Sequence, residues 1–372
     1  PGHTDFDVLV LGAGSGGYAC ALRAAQLGLT VGLVEKDKVG GTCLHVGCIP
    51  TKALLHAAEV ADSARDSERF GVKASLEGID MAGVNAYKDG VVARLFKGLT
   101  GLVKGRGITV IEGAGTMTGP REVTVNGTAY TGAHLVLASG SYSRSLPGLE
   151  VDGEKVLTSE HALRLERVPS SVVVLGGGVI GSEFASVWRS FGADVTIVEA
   201  LPRLVAAEDA ASSKALERAF RKRGIGFRTS TRFSSVERTP EGVAVTVEEA
   251  KGATSVIEAE LLLVAVGRGP ATDGLGYAEQ GVAMERGFVL ADERCRTNLE
   301  GVYAVGDIVP GLQLAHRGFQ QGIFVAEEIA GLAPVPVEES AIPRVTYSHP
   351  EIASVGLDEE TARSTYGEDA IE

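Results

Sequence analysis

Residues 6–35 read FDVLVLGAGSGGYACALRAAQLGLTVGLVE, and they contain the clearest structural pattern of the chain. A short apolar run comes first. It is followed by a G-x-G-x-x-G turn, a segment whose apolar residues have helical spacing, and a second apolar run that ends on a glutamate. The same frame recurs in residues 171–199, SVVVLGGGVIGSEFASVWRSFGADVTIVE. Two copies of a strand–turn–helix–strand frame predict an α/β chain with two Rossmann-like dinucleotide-binding domains.

The two copies agree position by position. The turn glycines, the helix-ending glycine and the closing glutamate are Gly12, Gly14, Gly17, Gly28 and Glu35 in the first copy, and Gly176, Gly178, Gly181, Gly192 and Glu199 in the second. In such a turn the first glycine allows a tight bend, the second lets the backbone approach a pyrophosphate, and the third lets helix and strand pack closely. The phosphates then lie at a helix N-terminus, where free N–H groups attract anions. We therefore predict two dinucleotide sites, and glycines that serve α/β packing alone are the less favoured alternative.

Each closing glutamate also predicts the kind of ribose. A carboxylate at that place accepts hydrogen bonds from a ribose diol and repels a 2′-phosphate. Both sites are therefore predicted to prefer an unphosphorylated ribose.

The bulk composition restricts the partners. The chain has 372 residues, 44% of them hydrophobic, and a formal net charge of −13. This charge argues against a nucleic acid or an anionic membrane as partner. No uncharged apolar run is long enough to span a bilayer, and no secretory signal is visible near the N-terminus. We therefore expect a cytoplasmic protein with neither kind of partner.

Two of the four cysteines lie close together in residues 40–56, GGTCLHVGCIPTKALLH. As a structural disulfide, Cys43–Cys48 would close a short loop and add only about 2 kcal/mol. As half of a zinc site the spacing is unusual and no second close cysteine pair exists, so no metal is predicted. A redox pair beside two dinucleotide sites instead suggests an electron relay of disulfide, flavin and nicotinamide. A regular helix would separate the two residues by ~7.5 Å along its axis. A disulfide requires Cα atoms that are closer than this. We therefore expect a distorted backbone between the two cysteines, which Gly47 permits.

With these features, the chain from Asp5 to its end resembles the pyridine nucleotide–disulfide oxidoreductase family, and most closely its dihydrolipoamide dehydrogenase branch. The cysteine motif is nearly diagnostic. Three further stretches resemble family motifs: LASGS at 137–141, TNLEGVYAVGD at 297–307 and LAHRGFQQG at 314–322. The sequence departs from the family at His45, where the branch typically has asparagine or a similar polar residue, at Ser139, which replaces threonine, and at Ser143, which replaces proline.

The resemblance implies roles for individual residues. FAD would be bound by Gly12, Gly14, Gly17, Glu35, Lys52, Gly140, Asp307 and Ala315, and NAD by Gly176, Gly178, Gly181, Glu199 and Gly267, while Ala114 is given no role. Cys43 would exchange with the substrate, and Cys48 would face the flavin as a charge-transfer thiolate. Lys52 would lie near the flavin N5 and pair with Glu183, so these four are the expected catalytic residues.

The resemblance also implies the domain organisation. We expect an FAD-binding domain over residues 1–148, an NAD-binding domain over 149–270, a central domain completing the FAD site over 271–340, and the start of an α+β interface domain over 341–372. The interface domain is expected to form a homodimer and to be truncated here, with the family's proton-transferring His–Glu pair in its missing part. The chain is then expected to bind FAD but to be a poor dehydrogenase, and His349 is interpreted as structural.

The implied function is that of a flavoprotein disulfide oxidoreductase that oxidises protein-bound dihydrolipoamide to lipoamide and reduces NAD⁺ to NADH. Its partners would be the lipoyl domains of 2-oxo-acid dehydrogenase complexes or of the glycine cleavage system. Two alternatives stay open from the sequence. One is another disulfide reductase of the family, of the mercuric or glutathione type, although these usually carry a basic residue where Glu199 stands. The other is a flavoprotein subunit with a mainly structural docking role.

Overall fold

The computed structural model describes residues 4–370 and divides into two compact units, each built from three separate stretches of chain. The first unit comprises Pro1–Cys48, Val92–Tyr142 and Arg268–Ile342, and the second comprises Ile49–Val91, Ser143–Gly267 and Pro343–Glu372. The chain passes from one unit to the other within two helices, Cys48–Arg65 and Met81–Gly105. Each unit therefore combines residues that are far apart in the sequence.

The first unit is built around a seven-stranded sheet. In order across the sheet, its strands are Thr109–Glu112, Val31–Glu35, Phe6–Leu11, Thr128–Leu137, Glu122–Val125 and Gly115–Gly119, and Val302–Ala304 also pairs with Thr128–Leu137. The first four strands and Val302–Ala304 are parallel, whereas the last two form an antiparallel extension. Two further pairs of short strands are separate from this sheet: Ser141–Ser143 with Arg268–Pro270, and Met284–Glu285 with Phe288–Val289.

Along the chain, the helices of the first unit come before or after the parallel strands of this sheet. They are Ser15–Gln26, Gly41–His45, the second part of Met81–Gly105 and Ala315–Ile329, with 3₁₀ turns at Gly306–Ile308 and Glu339–Ala341. The central strand is buried on both faces, because Val8 and Val10 join one core cluster while Leu9 and Leu11 join another. This double burial explains why its apolar run is uninterrupted.

Two helices of the first unit pack with their backbones in close contact. They are Ser15–Gln26 and Ala315–Ile329. A Cβ added to Gly322 would lie 2.2 Å from the carbonyl oxygen of Gly16, so only glycine fits at that point. The contact fixes the helix that carries Ala315 against the helix that follows the first glycine turn.

The second unit is built around a five-stranded parallel sheet. Its strands in order are Gly226–Arg228, Asp194–Val198, Ser171–Leu175, Leu261–Val264 and Val156–Leu157. An antiparallel sheet of Thr231–Arg238, Val243–Glu249 and Thr254–Ala259 and a strand pair of Arg344–Thr346 and Ile352–Ser354 complete its β structure. Its helical segments are most of Cys48–Arg65, Ser67–Phe70, the first part of Met81–Gly105, Ser159–Ala162, Val179–Phe191, Ala210–Arg223, Glu359–Tyr366 and Glu368–Ala370.

The helix Val179–Phe191 is buried on nearly all sides. Phe184 and Trp188 join the largest core cluster of the second unit. Glu183 and Ser186 are also buried, and buried polar groups are generally stable only when they are hydrogen-bonded. The helix therefore supplies both core packing and a row of polar anchors.

The two predicted strand–turn–helix–strand frames are present, and the predicted α/β fold class is confirmed. They are Phe6–Leu11, Ser15–Gln26 and Val31–Glu35, and Ser171–Leu175, Val179–Phe191 and Asp194–Val198. The last strand ends just before Glu199 rather than on it. Within residues 4–370, no helix combines the length and the apolar character needed to cross a membrane.

Candidate active site

The first glycine turn has the shape that a dinucleotide pyrophosphate requires. Gly12 has φ of +104°, and a Cβ there would lie 2.3 Å from the carbonyl oxygen of Ala138. A Cβ on Gly17 would lie 1.8 Å from the carbonyl oxygen of Gly12. By contrast, a Cβ on Gly14 would have no heavy atom within 4 Å, and the following helix starts there without a side-chain cap or an acidic residue in its first turn. The turn therefore leaves open space at uncapped N–H groups, which fits a bound phosphate.

The second turn repeats this geometry in the second unit. Gly176 has φ of +105°, and a Cβ there would lie 2.3 Å from the carbonyl oxygen of Ala265. A Cβ on Gly181 would lie 1.9 Å from the carbonyl oxygen of Gly176, whereas one on Gly178 would have no heavy atom within 4 Å. The helix Val179–Phe191 also begins without a side-chain cap or an acidic first turn. The second turn therefore fits a pyrophosphate for the same reasons as the first.

Each closing glutamate holds its own glycine turn, a role that the sequence analysis missed. Glu35 accepts hydrogen bonds from the N–H groups of Ala13 at 2.8 Å and Asp37 at 2.9 Å, one on each carboxylate oxygen. Glu199 accepts from Gly177 at 2.6 Å and Leu201 at 2.7 Å in the same way. Both glutamates are half-buried. Because each carboxylate oxygen has a further lone pair, both residues remain able to accept bonds from a ribose diol.

Asp307 is held by Ser141, the last residue of the LASGS stretch, and through it by Arg268, for which no role is predicted from the sequence. It lies in the turn Gly306–Ile308, and the Ser141 hydroxyl donates to its carboxylate. Arg268 in turn donates to the Ser141 hydroxyl at 2.7 Å and to the Ser141 carbonyl at 2.8 Å. This chain of bonds orients the carboxylate that is expected to bind the flavin's ribitol chain.

The remaining predicted cofactor residues lie in backbone positions that can approach a ligand. Gly140, in the first unit, has φ of +78°, and Gly267, in the second, has φ of +104°; a Cβ on either would meet no heavy atom within 4 Å. Ala315 is the first residue of a helix that no side chain caps. Ala114, for which no role is predicted, precedes the strand Gly115–Gly119.

Cys43 and Cys48 lie on two separate helices in the first unit. Cys43 is part of Gly41–His45 and Cys48 starts Cys48–Arg65, so the backbone breaks between them as the spacing predicts. A Cβ on Gly47 would lie 2.9 Å from the carbonyl oxygen of Thr42. Gly47 has no positive φ, so a close backbone approach and not a left-handed conformation requires glycine there.

The four cysteines fall into two classes. Cys43 and Cys48 are partly exposed, whereas Cys20 and Cys295 are buried. Burial raises the pKa of Cys20 and of Cys295 to about 12, so both hold their protons at neutral pH. Because the thiolate is the nucleophile in disulfide exchange, this chemistry is expected only of the exposed pair.

The short helix that carries Cys43 is docked on the first glycine turn. The Gly40 N–H donates to the carbonyl oxygen of Ala13 at 2.8 Å, and a Cβ on Gly41 would lie 2.6 Å from the Cα of Gly14. Burial and the nearby Cys43 raise the pKa of Tyr18 to about 12, so its phenol stays neutral. The candidate redox residue therefore lies beside the candidate flavin turn within one compact unit.

Lys52 and Glu183 lie near each other in the second unit. A third residue, Tyr347, contacts both and was not predicted from the sequence. Glu183 is only 5% exposed, and burial raises its pKa, while the charge of Lys52 and a hydrogen bond from the Tyr347 N–H at 2.9 Å oppose this shift. The Lys52 ammonium lies 4.2 Å from the centre of the Tyr347 ring. The predicted Lys52–Glu183 pair thus includes an aromatic third member.

Replacing Glu183 by glutamine is expected to stabilise the protein more at pH 8 than at pH 4. Because burial raises the pKa of Glu183, the folded protein holds this proton more tightly than the unfolded chain, whose glutamate titrates near 4.5. Folding stability therefore falls as the pH rises from that value through the folded pKa. Glutamine removes this dependence and still accepts the Tyr347 N–H. Melting temperatures measured from pH 4 to pH 8 test the expectation.

The exposed Glu59 on the helix Cys48–Arg65 offers a matched control. Glu59→Gln makes the same chemical change at the surface and should leave the pH dependence of the melting temperature nearly unchanged. An advantage of Glu183→Gln that does not grow with pH would contradict the expectation.

His349 has a structural role through its backbone. Its N–H donates to the Ser186 hydroxyl at 2.9 Å, and its carbonyl accepts from Arg223 at 2.9 Å. Both partners belong to the second unit. Among the described residues, no cluster of three or more histidine, cysteine, aspartate or glutamate side chains could hold a metal ion.

The arrangement of two glycine turns and a docked cysteine helix agrees with a family model. The model described as pyridine nucleotide-disulphide oxidoreductase matches residues 6–322. The chain belongs to this family. The matched region contains both glycine turns, both partly exposed cysteines, Lys52, Glu183 and Asp307.

Comparison with individual proteins gives the same assignment. The chain is 40% identical to dihydrolipoyl dehydrogenase of Bacillus subtilis (strain 168) over 376 residues, which cover 97% of this chain and 79% of the relative. It is 42% identical to dihydrolipoyl dehydrogenase of Chlorobaculum tepidum over 362 residues, 96% of this chain and 77% of the relative. The crystal structure of LpdA from Mycobacterium tuberculosis is similar, with a TM-score of 0.88 and 28% identity over 96% of this chain and 80% of that chain.

Family membership and these relatives identify a flavoprotein disulfide oxidoreductase with FAD and NAD as cofactors. The predicted family, enzyme class and cofactors are confirmed. The roles of individual residues and the four-part domain division remain predictions.

Replacing Gly14 or Gly178 by valine is expected to weaken the binding of a different cofactor in each case. With φ of −72° and −74° and no heavy atom near the added Cβ, either valine should be tolerated by the fold. Its side chain would occupy the space that a phosphate needs. Gly14→Val should weaken FAD binding by about tenfold or more, a loss of ~1.4 kcal/mol, and Gly178→Val should do the same for NAD⁺.

Flavin content after gel filtration and calorimetric titration with NAD⁺ measure the two effects. Each variant is the control for the other, because the substitution and the backbone conformation are the same. Loss of both cofactors from either variant, or of neither, would contradict the assignment of the two turns.

Proposed function

We propose that this chain oxidises dihydrolipoamide to lipoamide through a disulfide between Cys43 and Cys48 and delivers the electrons, through FAD, to NAD⁺. The observation that carries the proposal is a partly exposed cysteine pair whose first member, Cys43, lies on a short helix docked against the first glycine turn. The relatives named dihydrolipoyl dehydrogenase support the choice of substrate.

The first half of the reaction is a pair of thiol–disulfide exchanges. A dihydrolipoyl thiolate attacks the sulfur of Cys43, which forms a mixed disulfide and releases Cys48 as a thiolate. The second dihydrolipoyl thiolate then attacks the lipoyl sulfur of the mixed disulfide, which releases lipoamide and leaves Cys43 reduced. The substrate loses two electrons and two protons, and the cysteine pair gains the electrons. FAD, when bound, would supply the two-electron carrier between the reduced cysteine pair and NAD⁺.

The chain's charged residues have separate tasks in this proposal. Lys52 supplies a positive charge that favours the reduced, anionic flavin, and Glu183 holds Lys52 by its opposite charge. Asp307, oriented by Ser141 and Arg268, binds the flavin's ribitol chain. Glu199 binds the ribose diol of NAD and repels a 2′-phosphate.

The proposed partners follow from the substrate. Dihydrolipoamide is carried on the lipoyl domains of 2-oxo-acid dehydrogenase complexes or of the glycine cleavage system, and we place the chain with them as a cytoplasmic homodimer. The dimer would form through the interface domain that is proposed to open at residue 341. Glutathione-type reductases are a weaker match, because a carboxylate at Glu199 opposes the 2′-phosphate that they bind.

A donor and acceptor panel tests the proposal. With equal flavin content, the reduction of NAD⁺ and NADP⁺ is followed with dihydrolipoamide, with a dihydrolipoyl domain and with reduced glutathione. We expect NADH formation from both lipoyl donors, at lower KM for the domain, and none from glutathione. Equal use of glutathione, or a preference for NADP⁺, would overturn the proposed function.

A further inference from the structure

The aromatic ring of Tyr347 lies against the charged end of Lys52. The ammonium is 4.2 Å from the ring centre, a distance at which the ring's quadrupole attracts a cation. The attraction increases where water is excluded. Tyr347 is 37% exposed and Glu183 only 5%, so the contact lies at the edge of a buried polar region.

The backbone that carries this ring is fixed at three points. The Tyr347 N–H donates to Glu183, and the His349 N–H donates to the hydroxyl of Ser186, both at 2.9 Å. Arg223 donates to the His349 carbonyl at 2.9 Å. Glu183 and Ser186 are one turn apart on the helix Val179–Phe191, so they face the same side and hold the segment along its length.

The helix that carries Lys52 is tied to the same anchor. Arg223 donates to the hydroxyls of Ser186 and Ser190 at 2.7 Å each and to the carboxylate of Asp62 at 3.3 Å. The Ser190 hydroxyl also donates to Asp62 at 2.6 Å. Asp62 and Lys52 both belong to the helix Cys48–Arg65. Arg223 therefore links the helix of Lys52 to the segment of Tyr347 within the second unit.

We propose that Tyr347 is a positioning residue for the reaction assigned above, whose ring holds the Lys52 ammonium in place while the Glu183 carboxylate holds the Tyr347 backbone. The inference rests on the proposed role of Lys52. The phenolic hydroxyl has no part in it, since the ring face alone makes the contact. Phenylalanine should therefore replace tyrosine, and an aliphatic residue should not.

The contact itself is tested by NMR of the FAD-loaded protein. Lysines are labelled with ¹³C at Cε, and the Lys52 signal is assigned by its loss in Lys52→Arg. The Tyr347 ring current should shift the Lys52 ε-protons in the wild type and in Tyr347→Phe. In Tyr347→Leu the signal should move toward the position of an exposed lysine, and an unchanged signal would overturn the proposal. If Tyr347→Leu melts far below the wild type, Tyr347→Met replaces it.

The positioning role is tested by kinetics of the same variants. Losing a cation–π contact should lower kcat for NADH formation by about 3- to 30-fold in Tyr347→Leu, with the KM for NAD⁺ unchanged. Tyr347→Phe should remain close to the wild type. A displaced Lys52 signal with an unchanged kcat would overturn the positioning role. If Lys52→Met kept full activity, the proposed role of Lys52 would fail instead, whatever the NMR signal shows.

Discussion

We expect the Cys48→Ser protein to bind FAD normally and to lose dihydrolipoamide-dependent NADH formation completely. Serine cannot form the disulfide that the two exchange steps require, so the substrate's electrons have no acceptor. The residues of the first glycine turn, Gly12 and Gly14, are untouched, so the flavin should stay bound. The long-wavelength absorbance that we expect from a Cys48 thiolate beside oxidised flavin on partial reduction should also disappear.

Cys20→Ala is the matched control for this variant. Cys20 is fully buried in the helix Ser15–Gln26 and its pKa is raised to about 12, so its loss should lower the melting temperature but not the turnover. Cys43→Ser should also stop turnover, yet it should keep the long-wavelength band because Cys48 remains. Normal dihydrolipoamide turnover in Cys48→Ser would refute the catalytic assignment of the pair.

Glu199→Arg is expected to raise the preference for NADP⁺ over NAD⁺ by about 10- to 100-fold, equivalent to ~1.4–2.8 kcal/mol. The substitution removes a carboxylate that repels the 2′-phosphate and adds a guanidinium that can bind it. The ratio of kcat/KM for the two coenzymes measures the change. Absolute activity with NAD⁺ should also fall, because Glu199 holds the N–H groups of Gly177 and Leu201.

Glu199→Gln separates the two effects of that change. The amide keeps an acceptor for the turn but carries no charge, so it should raise the NADP⁺ preference by a smaller factor and keep more of the NAD⁺ activity. A wild-type protein that already used both coenzymes equally well would contradict the role given to Glu199.

The parts of the fold that could be predicted from the sequence are those with a local pattern. Both strand–turn–helix–strand frames were predictable because a tight turn at Gly12 or Gly176 needs positive φ, and the residues around each glycine follow at short, regular spacing. The break between Cys43 and Cys48 was predictable from helix geometry together with the short Cα distance that a disulfide requires. The reason why residue 47 is a glycine was not predictable. Its close approach to the carbonyl oxygen of Thr42 depends on the backbone path between the two helices.

Contacts between distant segments could not be predicted in the same way. Ser141 and Arg268 orient Asp307, and Tyr347 contacts Lys52, but no periodicity connects residues that far apart in the chain. The bracing of each turn by Glu35 and Glu199 is a different case. The repeat places each glutamate at a fixed offset from its turn, so a signal was present in the sequence. Ribose binding was a sufficient explanation for each glutamate, and its hydrogen bonds to the turn were therefore not predicted.

Differential alkylation of the cysteines shows whether the substrate's electrons pass through a Cys43–Cys48 disulfide. The air-oxidised holoprotein is alkylated before and after one equivalent of dihydrolipoamide under anaerobic conditions, and each cysteine is quantified by mass spectrometry. We predict that Cys43 and Cys48 resist alkylation at first, as one linked peptide pair, and become reactive together on reduction, while Cys20 and Cys295 do not change. Equal reactivity of Cys43 and Cys48 before and after reduction, or a change at any other cysteine, would contradict electron transfer through this disulfide.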